Sequence, residues 1–169
     1  MFKIETYMKK TLYHYSDDVI DNFSIKNRDA VYFLTKRNDK VGNFYGKNLH
    51  KVIAQDLECV QAEDIAKILW SGEELNEILD SLKSGFGWFY KGIEDVINRK
   101  AKALCCDAVV YNDYTGDPDT GEHHKSISLV NIEKIKVESI LINKHFYNPR
   151  VFHNKELRIN KYGRFGSNR

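Results

Sequence analysis

The sequence is poor in the residues that break or staple a chain. It has two prolines and ten glycines among 169 residues, too few for a disordered or repetitive polymer. It has three cysteines, two of them adjacent at Cys105-Cys106, which make no disulfide framework and suit reduced thiols in the cytoplasm. No apolar run is long enough for a transmembrane helix, and the first residues carry no apolar leader, so no membrane partner and no secretion signal are expected. A Gly-x-Ser-x-Gly elbow and a glycine-rich phosphate loop are both absent. Cys-x-x-Cys pairs are missing too, and the acids at 113, 117, 119 and 122 do not follow calcium-loop spacing, so no metal is expected. Cys105, Cys106, His123 and His124 are read as strand thiols and loop histidines rather than a zinc set.

What the chain does have is aromatic residues and a lopsided charge. Ten tyrosines and nine phenylalanines suit a small β-rich core. The net charge of +2 splits into a −4 body over 1–143, with 19 basic and 23 acidic residues, and a +6 segment over 144–169. The expected organisation is therefore one domain at 1–143 followed by a basic extension at 144–169. Such an extension can touch nucleic acid.

Periodicity places the elements. Residues 11–16 and 30–35 read as short strands, and 51–60 as another. Ile65, Ile68, Leu69, Leu75, Ile78, Leu79 and Leu82 recur at spacings of three and four, so 62–82 is helical. Ser71 breaks the run and is expected to cap a second helix, with Glu74 completing a capping box. A third helix is expected over 88–104, with Trp88, Ile93, Val96 and Ile97 inward. Trp70, Phe86, Trp88 and Phe89 read as core. Residues 107–112 and 126–130 read as strands around a polar loop, and 132–142 as one or two more. Strands, then helices, then strands predict an α+β fold with a mostly antiparallel sheet.

Alternation puts Leu12, His14 and Ser16 on one face of the first strand, and Tyr32 and Leu34 on one face of the second. If these strands line a groove, His14 and Tyr32 meet across it. Leu12-Tyr13-His14-Tyr15-Ser16, then Ala30-Val31-Tyr32-Phe33-Leu34-Thr35 with Asn43-Phe44-Tyr45-Gly46, then Cys106-Asp107-Ala108-Val109-Val110-Tyr111 and 126–136, together resemble the ADP-ribosyltransferase superfamily. The resemblance is to its histidine–tyrosine–glutamate branch, diphtheria-toxin-like and PARP-like, in the small forms of phage polyvalent proteins and bacterial toxins.

That resemblance implies a split antiparallel β-sandwich with a helical insertion at about 62–104, clasping NAD as a substrate. His14 would bond the nicotinamide ribose and Tyr32 would stack on the nicotinamide, with Tyr15, Ser16 and Tyr45 also lining the NAD site. Where the family carries glycine after its histidine, this chain has Tyr15. Where it carries glutamate, this chain has Ser126, with Glu122 the acid that could reach in. The implied function is mono-ADP-ribosyl transfer from NAD to a macromolecular acceptor, nucleic acid or protein, with an inhibitor or antitoxin protein among the partners. The alternative is a catalytically degenerate nucleotide- or nucleic-acid-binding module on the same scaffold. An RNA 2′-phosphotransferase is disfavoured, because no paired arginines mark a phosphate site.

Overall fold

The computed structural model describes residues 2–25, 28–85, 92–116, 119 and 121–142. The basic segment 144–169 and the aromatic residues Phe86, Trp88 and Phe89 lie outside them. Six strands are laid down in the order β1 (Ile4–Ser16), β2 (Val31–Leu34), β3 (Asn48–Gln61), β4 (Ala108–Thr115), β5 (Glu122–Leu129) and β6 (Ile135–Ile142). A short helix α1 (Asp39–Gly42) precedes β3, and α2 (Ala62–Leu69), α3 (Gly72–Ser84) and α4 (Ile93–Ala103) separate β3 from β4.

The pairing closes on itself. β1 pairs with β2, β2 with β5, β5 with β4, β4 with β3, and β3 returns to β1 along twelve register pairs from Ile4↔Val60 to Ser16↔Asn48. This is a five-stranded closed barrel, not the open split β-sandwich that the family resemblance implies. One buried cluster confirms the closure, because all five strands feed it: Leu12, Phe33, Leu57, Val110 and Ile127 are among its members. A sandwich would have left a cleft where the barrel has a wall.

The wall is not uniform. β3 and β4 run parallel, which requires a long crossover, and α2, α3 and α4 supply it. These helices pack on the outside of the barrel through Ile65, Ala66, Ile78, Leu82, Ile97 and Ala101, against Val60, Val109 and Tyr111. The spacings of three and four read from the sequence mark this face. The expected capping box does not form: Ser71 precedes α3 in an extended conformation, but its side chain makes no cap bond. The reason is Gly72, whose φ of +62° turns the chain away from capping geometry.

A knot at Asp107 ties the parallel pair to the β5–β6 turn. Its carboxylate accepts from the Glu58 amide (2.9 Å), the Asn131 side chain (2.9 Å) and the Lys134 ammonium (2.7 Å). β1 and β2, by contrast, share a single register pair, Tyr13↔Leu34. β6 lies outside the ring and pairs only with β3 among the described residues. Its register slips by one residue, so Glu138 is left over between the partners of Lys51 and Val52.

Candidate functional site

The thin seam between β1 and β2 is where the sequence reading placed a groove. β1 alternates inward at Leu12 and His14, and β2 alternates inward at Val31 and Phe33. Tyr32 therefore projects outward, on the opposite side of the wall from His14. The two residues do meet, but by a different atom pair: His14 Nδ1–H donates to the Tyr32 backbone carbonyl at 2.7 Å. This bond reinforces a seam that has one register pair. It leaves no cleft between the side chains.

Inside the barrel, His14 belongs to an aromatic cluster at one mouth. Its ring lies 5.0 Å from Phe23, 5.3 Å from Phe33 and 5.9 Å from His50, centroid to centroid. Burial pushes its pKa down from 6.5 to about 4, and the nearby His50 and Arg28 push the same way. His50 is completely buried. Its Nδ1–H donates to the His14 carbonyl at 3.0 Å, and its Nε2 accepts from the Ile20 amide at 2.9 Å. That pattern fixes the neutral Nδ1–H tautomer. Residues 17–25 cross this mouth, held by the Ile20 bond, by Phe23 in the cluster and by Asn48, whose amide donates to the Asp17 carbonyl at 2.9 Å.

Outside the barrel, Tyr32 enters a second polar assembly beneath α4. Asn98 is its centre. It donates to the Tyr32 hydroxyl (2.9 Å) and accepts from Tyr111 (2.9 Å) and Ser128 (2.8 Å). Tyr32 in turn donates to Glu94 (3.1 Å). Burial, then the Glu94 carboxylate, raises the Tyr32 hydroxyl far above its usual range, so it stays protonated. The tethered ring lies tilted beside Tyr111, 6.3 Å between centroids.

The remaining residues expected at the site are scattered. Tyr15 is buried beside Leu34, Val41 and Leu49, and its hydroxyl donates to Asp39 at 2.6 Å. The Ser16 hydroxyl accepts from the Asp18 amide at 3.1 Å. Tyr45 shares a hydrogen bond with the Thr115 hydroxyl, 3.0 Å. Ser126 is buried on β5 and donates to Asp113 at 3.1 Å. Glu122 opens β5 with one carboxylate oxygen 3.8 Å from the Lys40 ammonium.

Ser126, Asp113 and His124 sit together on the β4–β5 hairpin, but they are wired as no nucleophilic triad. The serine bonds the aspartate directly, and His124 Nε2 bonds Thr115 at 2.8 Å. The hairpin and the end of α3 frame an open depression of about 370 Å³, lined by Lys83, Asn112, Asp113, His123, His124 and Lys125. Among the described residues no three His, Cys, Asp or Glu side chains gather to hold a metal.

No family model matches the chain, and no curated protein matches it. A solved structure described as the crystal structure of an anti-CRISPR protein is similar at a TM-score of 0.43 and 15% identity, over 76% of this chain and 95% of that one. So distant a likeness assigns neither family nor function.

The assignment to the ADP-ribosyltransferases is therefore corrected, and with it the NAD-cleaving transferase activity and the toxin setting. The decisive finding is the closed wall. Among the described residues the strands form a closed barrel in place of the open scaffold expected to clasp the dinucleotide, and the histidine and tyrosine expected at its nicotinamide end lie on opposite sides of β1 and β2. The degenerate module on that same scaffold falls for the same reason.

His50, Phe23, Asn98 and Glu94 were missed by the sequence reading. Two signals for them were present. His50 continues the inward alternation of Val52 and Ala54, one residue beyond the strand drawn at 51–60. Glu94 and Asn98 are four apart in a helix, so they share a face.

Proposed function

We propose that the protein binds nucleic acid without catalysis, with the barrel as a rigid carrier and segment 144–169 as the contact. The observation that carries this reading is the composition of that segment. Seven Lys/Arg and one acid are interleaved with five aromatics, Phe146, Tyr147, Phe152, Tyr162 and Phe165. Cations at such intervals neutralise phosphates, and aromatic rings between them stack on unpaired bases. The acidic body supports the same division, because it repels a polyanion and leaves the segment as the attractive part. Tyr32, Tyr111 and Ser128 on the barrel wall are engaged in holding their strands to α4 through Asn98, which supports a carrier role. Three free thiols suit the intracellular setting expected from cysteine usage. Among the described residues no helix is long and apolar enough to cross a membrane.

The test is fluorescence anisotropy with labelled single-stranded RNA, single-stranded DNA and duplex DNA over a range of salt. Single strands should bind best, with affinity falling steeply as salt rises. The triple variant Lys155→Glu, Arg158→Glu, Lys161→Glu should weaken binding at least tenfold. It should also flatten the logarithmic salt slope by about 2 for single strands. Unchanged binding in the variant would overturn the reading. Titration with NAD in parallel tests the ligand named by the sequence resemblance.

A further inference from the structure

The two histidines at the barrel mouth have no role in nucleic-acid binding as proposed, yet they occupy the weakest part of the wall. Each holds something different. His14 closes the β1–β2 seam through its bond to the Tyr32 carbonyl, where the strand ladder has a single register pair. His50 latches residues 17–25 by accepting from the Ile20 amide. The two are coupled, since His50 also donates to the His14 carbonyl and the rings lie 5.9 Å apart.

We infer that this mouth is an acid-sensitive gate: protonation of His14 releases residues 17–25 from the barrel end while the rest of the barrel stays folded. On β2 the ring meets Phe33 and the Tyr32 carbonyl, whose bond persists on protonation and favours the charged form but is outweighed by burial, and the crossing segment offers Phe23. The charged or titratable groups acting on it are His50 on β3 and Arg28 just before β2, both of which disfavour a second positive charge. No carboxylate is among them. A protonated ring is stabilised chiefly by reaching water, and Phe23 and its segment stand in the way. Lifting them breaks the Ile20 bond.

The sign follows from the depressed pKa. The closed mouth holds His14 near 4 and an opened one lets it return toward 6.5. The open form therefore binds more protons, and acid favours it. The opening equilibrium should be flat above pH 6.5 and rise up to tenfold per unit between 6.5 and 4, up to about 300-fold in all.

Hydrogen exchange on the full chain between pH 7.5 and 4.5, corrected for intrinsic amide rates, reads this directly. Protection at Ile20 and through 17–25 should fall across that window, while β4 and β5 keep theirs. His14→Gln should flatten the profile. Should that variant not fold, Arg28→Gln gives the second reading. Removing that cation lets the closed-state ring titrate nearer 6.5, so the fall becomes shallower. Protection independent of pH in the wild-type chain would overturn the gate. So would a profile as steep in His14→Gln as in the wild type, or one unchanged in a folded Arg28→Gln chain.

Discussion

The mouth of the barrel and the wall beneath α4 handle buried polar groups in opposite ways. Under α4, one amide satisfies three hydroxyls, and the hydroxyl of Tyr32 passes its proton direction on to Glu94. Such a network locks a helix onto a sheet at one angle. At the mouth, two imidazoles do the joining, His14 as an Nδ1–H donor and His50 through an Nε2 that must be unprotonated to accept. Both regions draw on the pair singled out from the sequence, with Tyr32 contributing its hydroxyl to one and its carbonyl to the other. Residue type alone could not say which, because the answer depends on which side of the wall each side chain faces.

The sharpest way to break this comparison is Asn98→Ala. It removes the short acceptor of the Tyr111 and Ser128 hydroxyls, leaving them the longer contacts to the Glu94 and Val109 carbonyls, and should cost about 2 kcal/mol, read as a lower urea midpoint. Exchange through 17–25, measured under native conditions, should not change. If it accelerates as well, the two regions are one cooperative unit.

Gly46→Ala works on the mouth side. A Cβ there would run into the backbone of Ser16 and Asp17, where β1 enters the crossing segment. The expected loss is about 2 kcal/mol, with exchange in 17–25 rising before that of α4. Equal acceleration in both would dissolve the distinction.

The smallest expected effect is a gain at the end of α4. Cys105 sits at a φ of +61°, and the Cys106 amide bonds back to the Ala101 carbonyl at 3.0 Å, as in a Schellman ending. Cys105→Gly relieves the left-handed strain and should add about 1 kcal/mol. A thermal melt would show it, with the pH profile of the mouth unaltered.

Much of the local structure was legible. The spacings of three and four at 65–82 marked α2 and α3. Alternation correctly put Tyr32 and Leu34 on one face of their strand, and both do point outward. Closure was not legible, for physical reasons. β1 begins at Ile4, not 11, but its first half faces largely outward, leaving Met8 76% exposed. On its partner β3, Asp56 takes a φ of +52°, and the inward set shifts from Val52 and Ala54 to Leu57 and Cys59. A reader counting by twos loses the strand there. Without the full length of β1 and β3, the long pairing that turns a sheet into a ring is invisible, and two facing strands look like the lips of a groove. His14 was rightly marked as unusual, and its partner His50 lay 36 residues away on the strand that closes the ring.

The leftover residue on β6 also bears on how this protein behaves in a crowd. β6 ends in Ile140-Leu141-Ile142, with the last two 53% exposed, on a strand whose outer edge has no partner among the described residues. An even edge of that composition would be a template on which identical chains could stack. Glu138 interrupts it: the extra residue breaks the regular spacing of amides and carbonyls and carries a charge paired with Lys51 at 3.1 Å. One irregularity in the ladder thus acts as a guard on solubility, keeping a greasy strand end from recruiting its own kind.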